Sequence, residues 1–191
     1  MHIRRAVSAD AEELSSLLNE IILAGGTTAL ETPLSAAKFA DWFIDGEFPL
    51  TCHVAEHDQS LVGFQSLSLY GDPPKGFADI ATFARMHPRT AGVGSALFPA
   101  TRAAAEEFGL EFINATIRAD NVSGLGYYTK MGFETYDRLI QVPLQDGTPV
   151  DRIKKRFTVG GGHHTMPGTY TCLWECLLSL SEDQTAPSLG P

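Results

Sequence analysis

The hydrophobic pattern of the chain alternates between helical and extended segments. Leucine and isoleucine recur at helical spacing after Asp10, on one face made by Leu14, Leu17, Leu18, Ile21 and Ile22. Asp10 and Glu13 stand three residues apart, the spacing of a capping box, and Gly25-Gly26 ends the pattern. The pattern therefore predicts a first helix from Asp10 to Gly25, and a second, shorter helix is predicted at 35–43.

Extended segments surround these helices and continue towards the C-terminus. Strands are predicted at 2–6, 50–56, 61–70, 77–84 and 111–118, and helices at 93–108 and 121–131. Residues 133–157 predict a closing hairpin that turns at Asp146-Gly147. This order of elements predicts an α/β protein with a mixed central sheet flanked by helices.

The distribution of basic residues suggests where the folded domain ends. All 14 lysines and arginines lie at or before Arg156, and only Glu175, Glu182 and Asp183 carry charge beyond Thr158. A folded domain usually keeps basic residues on its surface. We therefore predict one domain at 1–157 and a C-terminal tail at 158–191 outside it, in which the stretch 172–180 could form a short apolar helix.

Composition excludes several classes of function. The chain has 191 residues, 43% of them apolar, and a net charge of −9, which predicts no nucleic-acid partner, since phosphate backbones would be repelled. A local pocket for a small anion remains compatible with this charge. No apolar run approaches the roughly 20 residues of a membrane span, and three scattered cysteines do not form a disulfide framework. The expected protein is cytoplasmic, with no membrane partner.

A glycine-containing segment between a predicted strand and a predicted helix carries the first chemical signal. It reads Arg89-Thr90-Ala91-Gly92-Val93-Gly94-Ser95. Glycines at a helix start let several N–H groups point outward together, and the helix N-terminus adds partial positive charge, so a pyrophosphate could bind there. A Walker loop would need a lysine, and a dinucleotide fingerprint would need a small residue where Leu97 stands. An ordinary glycine-rich turn remains the simple alternative.

The second signal follows the next strand. Asn121 precedes Tyr128 by seven residues, which is two helical turns, so both are expected on one helix face. A tyrosine with a pKa near 10 stays protonated at neutral pH and can donate to a departing thiolate. The neighbouring Tyr127 is interpreted as a packing aromatic.

Together these segments resemble the GNAT superfamily of N-acetyltransferases. That family carries Arg/Gln-x-x-Gly-x-Gly/Ala after its fourth strand, matched here by Arg89, Gly92 and Gly94. An asparagine, an aromatic-tyrosine pair and Gly-Phe come later, matched by Asn121, Tyr127-Tyr128 and Gly132-Phe133. The order of elements also follows the family from His2 to Phe157.

The resemblance implies acetyl-CoA as the acetyl donor, bound in a cofactor cleft between splayed central strands. It assigns the phosphates to the loop and the pantetheine arm to the strand, with Asn121 beside them; the implied cofactor-binding residues are Phe83, Ala84, Arg89, Thr90, Ala91, Gly92, Val93, Gly94, Ser95 and Asn121. Tyr128 is the implied catalytic acid. Residues 27–32 and 124–128 further resemble the phosphinothricin acetyltransferase branch, in which an acid at the position of Glu31 faces the acceptor amine; a solvated loop acid is the alternative.

The expected function is transfer of an acetyl group from acetyl-CoA to a small-molecule amine, such as an amino acid, by direct attack in a ternary complex. Two alternatives remain: a catalytically silent acyl-CoA-binding sensor, or a protein N-acetyltransferase. A homodimer is compatible with the sequence. No metal is expected, although His163, His164, Cys172 and Cys176 could be written as a zinc set, and Cys52 is interpreted as a core thiol.

Overall fold

A seven-stranded sheet organises the protein. The computed structural model describes residues 1–70 and 73–160. The strands are β1 (His2–Arg5), β2 (Pro49–His57), β3 (Ser60–Ser68), β4 (Phe77–Ala84), β5 (Phe112–Arg118), β6 (Glu134–Pro143) and β7 (Pro149–Thr158). The helices are α1 (Ala11–Ala24), α2 (Ala36–Ala40), α3 (Val93–Glu107) and α4 (Val122–Lys130). Within this described part, no helix is both long enough and apolar enough to cross a lipid bilayer.

The sheet has the order β1-β2-β3-β4-β5-β7-β6 and is mixed, as predicted. β4 and β5 are parallel, and the other neighbouring strands are antiparallel. The predicted closing hairpin is β6 and β7, and Gly147 in its turn has a φ of 83°, which a glycine adopts without strain.

Helices cover both faces of the sheet. The apolar face of α1 packs with Phe39, Phe43 and Phe64 in one core on the first face. On the opposite face, α3 packs on β2 and β3 through Val93 and Leu97. Successive strand residues point to opposite faces, so each strand contributes to both cores.

The predicted capping box at α1 is wrong. The Asp10 carboxylate accepts two hydrogen bonds from Arg4, at 2.7 and 2.8 Å, and one from the backbone N–H of Val7. Glu13 instead accepts from the N–H of Leu61 at 2.9 Å. The charged guanidinium of β1 competes successfully for Asp10, and it holds the pKa of this carboxyl below its usual range.

The central strands separate shortly after they meet. β4 and β5 pair only at Phe77–Phe112, Ala78–Ile113 and Asp79–Asn114, although both strands continue for several residues. Beyond Asp79 the edge of β4 that faces β5 is therefore left without a partner strand. This confirms the splayed central strands that the resemblance implies.

The folded domain reaches past the predicted boundary at 157. β7 continues to Thr158, and Val159 is buried with Ile113 and Phe133, its N–H donating to the Glu111 carbonyl at 2.9 Å. The predicted edge is thus two residues short, because a valine that follows the strand completes the core. The predicted tail helix at 172–180 lies outside the described residues.

Two truncations are expected to differ sharply. Ending the chain after Gly160 should leave the melting temperature nearly unchanged, since the removed segment lacks lysine and arginine and is predicted to lie outside the domain. Ending it after Thr158 removes the buried Val159 side chain, which should lower the free energy of unfolding by about 1.5–3 kcal/mol. Calorimetry should show the second variant melting roughly 5 °C lower than the first. Equal melting of the two truncated chains would contradict the assignment of Val159 to the core.

Candidate active site

A cleft of about 820 Å³ opens where β4 and β5 separate. Its basic lining residues are Arg85, Arg89, Arg118, Lys130 and Arg152. No aspartate or glutamate stands among the described residues that line it. The chain as a whole has a net charge of −9, so this group of basic residues stands out, although Arg85 pairs with Glu13 and Arg118 with Asp120. The cleft is therefore suited to an anionic ligand.

The N-terminus of α3 forms one wall of the cleft. Gly92 is the N-cap, with a φ of 79°, and the first backbone bond of the helix runs from the Ala96 N–H to the Gly92 carbonyl at 2.9 Å. The N–H groups of Val93, Gly94 and Ser95 consequently have no partner within the helix and add to its positive end. All seven predicted loop residues, Arg89 to Ser95, line the cleft. Their geometry fits a phosphate group.

Glycine is required at position 94 for a different reason than at position 92. A Cβ atom at position 94 would lie 2.7 Å from Cε2 of Tyr127 and 2.9 Å from its Cζ. The Tyr127 hydroxyl donates to the Gly94 carbonyl at 2.9 Å. Position 94 therefore needs glycine so that the ring from α4 can lie against the start of α3.

Gly94→Ala is expected to destabilise the fold. The added methyl group must displace the Tyr127 ring, and overpacking of this kind costs about 1–3 kcal/mol. Gly126→Ala is the matched control, because a Cβ at position 126 on α4 meets nothing within 4 Å and alanine favours the helix. Urea unfolding should show a loss for the first variant and no loss for the second. The same free energy of unfolding in both variants would contradict this packing.

The unpaired edge of β4 forms the second wall. The Arg85 N–H donates to the Val62 carbonyl of β3 at 2.8 Å, just beyond the end of β4. Alternate residues of a strand direct their N–H groups to opposite sides, so Thr82 and Ala84 direct theirs into the cleft. Phe83 lines the cleft, but its backbone pairs with Phe64 of β3. Ala84 is thus the better placed of the two residues predicted to pair with a pantetheine arm.

Tyr128 reaches the cleft from α4. Its side chain is 7% exposed, and its hydroxyl lies 3.0 Å from Oγ1 of Thr82. Burial raises the pKa of Tyr128 well above its ordinary value, while the hydrogen bond with Thr82 opposes this shift. The hydroxyl is therefore protonated at neutral pH and can donate a proton into the cleft.

Tyr127 does more than pack. Besides its bond to Gly94, its hydroxyl accepts a hydrogen bond from Nε2 of Gln65 at 3.0 Å. The interpretation of Tyr127 as a packing aromatic is therefore incomplete. The sequence analysis missed Gln65 and Thr82. The available signal was that each is a polar residue with an apolar neighbour before it in a largely apolar strand.

The loop after α1 closes the other side of the cleft. Asn121 donates from Nδ2 to the Thr27 carbonyl at 2.8 Å, and its Oδ1 accepts from the Gly124 N–H as the N-cap of α4. Asn121 lines the cleft, and these two bonds hold its amide in place; its cofactor-binding role stays a prediction. Arg118 contacts the Thr28 carbonyl at 3.4 Å.

Glu31 contacts the turn between β6 and β7. Its Oε2 accepts from the backbone N–H of Gln145 at 2.8 Å, in the turn between β6 and β7, and Gln145 also donates to Thr32. Glu31 is not among the residues that line the cleft. Its role towards an acceptor amine stays a prediction, and the contact shows a structural role that joins two loops.

Arg152 is a lining residue that the sequence analysis missed. It stands on β7 opposite Arg118 of β5, and its side chain is 1% exposed within the protein. Arg152 and Lys154 alternate along a strand and share one face, which is an unusual pattern for a buried strand and was the available signal.

The cysteine and metal-site candidates do not contribute to the cleft. Cys52 is a buried free thiol, which confirms its interpretation as a core residue. Burial raises its pKa and makes it a poor nucleophile. In residues 1–70 and 73–160, no group of three or more histidine, cysteine or acidic side chains could hold a metal ion. His163, His164, Cys172 and Cys176 lie outside the described residues.

The fold thus places a basic cleft between two parallel strands that separate, and a comparison with protein families identifies the class of protein. The family model described as "Acetyltransferase (GNAT) family" matches residues 15–133. The chain belongs to this family. A search of curated protein sequences gave no significant match.

Solved structures share the fold at low sequence identity. A ribosomal-protein-alanine N-acetyltransferase from Brucella melitensis is 21% identical, with a TM-score of 0.72 over 83% of this chain and 99% of that one. A phosphinothricin acetyltransferase from Sinorhizobium meliloti, in complex with acetyl-CoA, is 21% identical, with a TM-score of 0.73 over 87% and 92%. A putative acetyltransferase from Salmonella typhimurium with acetyl-CoA is 17% identical, with a TM-score of 0.74 over 87% and 97%.

Proposed function

We propose that this protein transfers an acetyl group from acetyl-CoA to the amine of a small molecule that also carries a negative charge, such as an amino acid. The observation that carries the proposal is the combination, in one basic cleft, of an open helix N-terminus, an unpaired strand edge and the protonated Tyr128. The family supplies the reaction class. The cleft supports the class of acceptor.

The described residues fit acetyl-CoA. The N–H groups at the start of α3, with Arg89 nearby, would hold its phosphates. The N–H groups of Thr82 and Ala84 would pair with its pantetheine arm as an added strand would. Acetyl-CoA supplies an acetyl group activated as a thioester.

Tyr128 supplies the proton that the reaction needs at sulfur. As the neutral acceptor nitrogen bonds to the acetyl carbon, the carbon–sulfur bond would break and the nitrogen would pass one proton to water. Tyr128 gives its hydroxyl proton to the sulfur atom and regains one from solvent after the products leave. An N–H of the β4 edge, with Ala84 the best placed, would donate to the acetyl oxygen while negative charge develops on it.

Two features support a small, negatively charged acceptor. Arg152 lines the wall of the cleft opposite β4 and would attract a carboxylate, whereas its neighbour Arg118 is already held by Asp120 through two hydrogen bonds, at 2.7 and 2.9 Å. The bonds from Gln145 to Glu31 and Thr32 join the loop after α1 to the β6–β7 turn. This bridge suits a compact acceptor better than an extended peptide, and it keeps a phosphinothricin acetyltransferase-like activity as the favoured branch.

Release of CoA thiol should be measured with a panel of matched acceptors. Amino acids, the same molecules without the carboxylate, and short peptides should be compared at equal amine concentration. The amino acids should be the better acceptors. Preference for peptides would support the protein N-acetyltransferase, and tight acetyl-CoA binding without turnover on any amine would support the sensor. The cytoplasmic location and the homodimer remain predictions.

Arg152→Met should raise the KM for a carboxylate-bearing acceptor about 10- to 100-fold, because one charged hydrogen bond is lost. The methionine keeps much of the buried volume, so the fold should be retained. Arg138→Met is the control, since Arg138 is exposed on β6 and pairs with Asp151 outside the cleft. An equal change of KM for the acceptor without a carboxylate would contradict the role of Arg152.

A further inference from the structure

We infer that Gln65 and Thr82 are positioning residues that direct the proton of Tyr128 into the cleft. Both lie on the sheet beneath α4, and neither belongs to the motifs of the sequence analysis. The inference rests on the proposed function, because it assumes that Tyr128 donates a proton. It is carried by a continuous chain of hydrogen bonds that runs from Gly94 through Tyr127, Gln65 and Thr82 to Tyr128.

The first half of the chain is fixed at Gly94. Tyr127 uses its only hydroxyl proton on the Gly94 carbonyl, so its oxygen must accept from Gln65. Nε2 of Gln65 therefore faces Tyr127 as a donor. This contact fixes which end of the Gln65 amide carries the hydrogens.

The second half of the chain follows from that orientation. Nε2 of Gln65 also lies 2.8 Å from Oγ1 of Thr82 and donates its second hydrogen there. Thr82 Oγ1 also lies 3.0 Å from the Tyr128 hydroxyl, and the Thr82 side chain is in addition close enough to hydrogen-bond Tyr127. Since Gln65 can only donate through Nε2, Thr82 keeps its own proton for donation, and we assign that proton to the oxygen of Tyr128. The Tyr128 proton is then not used within the chain and remains available to the cleft that Tyr128 lines.

Burial keeps this arrangement from reversing. Gln65 is 0% exposed, so its amide cannot exchange partners with bulk water. It stands directly opposite Thr82 in the antiparallel pairing of β3 and β4, which holds the two side chains on one face. The sheet register thus sets the direction of the chain.

The arrangement has two chemical consequences. Thr82 points its hydrogen at the oxygen that becomes a phenolate when Tyr128 gives up its proton, which stabilises that charge in a buried site. The chain also begins at Gly94, beside the N-terminus of α3, so the acid is joined to the predicted phosphate-binding loop.

Thr82→Val and Thr82→Ser provide the test in the full-length protein. Valine keeps the shape and removes the hydroxyl, so kcat should fall about 10- to 100-fold, while the KM for acetyl-CoA changes less than about threefold. Serine keeps the hydroxyl and should restore most of kcat. Gln65→Leu should lower kcat by about 3- to 10-fold, since it loosens the chain without removing its last bond. Calorimetry identifies any variant that fails to fold. The kcat values of the folded variants then test the positioning role.

A second readout does not depend on turnover. Labelling tyrosine with ¹³C at Cζ gives one signal per ring, and Tyr128→Phe assigns the signal of Tyr128. Thr82→Val should shift that signal and Thr82→Ser should leave it in place. In the Tyr128→Phe background, Thr82→Val should cause no further loss of kcat, because both changes act on one proton.

The outcomes separate this inference from the proposed function. Wild-type kcat in Thr82→Val, additive losses in the double variant, or no rescue by serine would each overturn the positioning role while Tyr128 stays the acid. Unchanged kcat in Tyr128→Phe would remove the acid itself and the chain with it. No CoA release from the wild-type protein on any amine, with acetyl-CoA bound, would overturn the proposed function directly.

Discussion

Replacing Tyr128 with phenylalanine is expected to lower kcat about 10²- to 10⁴-fold, the usual contribution of general acid catalysis. The ring stays in place, because phenylalanine keeps the shape of a side chain that is buried against Phe133 and Tyr127. Only the hydroxyl that faces Thr82 and the cleft is removed. The departing thiolate must then leave without a proton or take one from water.

The affinity for acetyl-CoA separates this chemical effect from a loss of binding. It should change by less than about 1 kcal/mol, because one hydroxyl contact is lost. Tyr127→Phe is the matched control on the adjacent residue. It loses the bonds to Gly94 and Gln65 and should cost several-fold, well below the effect at position 128. Equal kcat for both variants would remove Tyr128 from the mechanism and leave the proton to solvent.

Gly92→Asp is expected to weaken acetyl-CoA binding at least about tenfold, which corresponds to about 1.4 kcal/mol. The carboxylate would stand at the N-cap of α3, next to the N–H groups that are predicted to hold the phosphates. The space around position 92 is open, since a Cβ there meets nothing within 4 Å. The effect therefore comes from charge and backbone conformation and needs no steric clash with the protein.

Gly92→Asn is the control that isolates the charge. Asparagine has nearly the shape of aspartate and also tolerates the left-handed conformation that Gly92 adopts at a φ of 79°. Titration calorimetry should give Gly92→Asn an affinity between those of the wild type and Gly92→Asp. Wild-type affinity in a folded Gly92→Asp variant would refute the assignment of the loop.

Much of the fold was predictable because its signals are local. The apolar face of α1, the turn at Gly147 and the helix start after Gly92 each follow from neighbouring residues whose spacing is visible in the sequence. The capping box failed although the competing residue is near in sequence. Arg4 on β1 precedes Asp10 by six residues, and the turn into α1 brings its guanidinium to that carboxylate, which helical spacing alone does not reveal.

The residues of the candidate site also fall into those that local motifs predict and those that only the fold brings together. The loop with Gly92 and the helix with Tyr128 could be read from motifs, because each is a contiguous segment. Gln65, Thr82 and Arg152 could not, since strand register brings them to the cleft from distant parts of the chain. The role of Glu31 towards the acceptor amine was predicted from the resemblance alone. In the structure, its carboxylate accepts a hydrogen bond from Gln145, which lies far along the chain.

The short pairing of β4 with β5 has a thermodynamic consequence. Only the three pairs from Phe77 to Asp79 join β1–β4 to β5–β7–β6 within the sheet, so an occupant of the gap would serve as its missing strand. A ligand that binds only the folded state adds about 2.7 kcal/mol at one hundred times its dissociation constant. The protein should therefore melt higher as acetyl-CoA rises, and amide exchange at Thr82 and Ala84 should slow with it. In a cell, the lifetime of the folded chain would follow the supply of its own substrate.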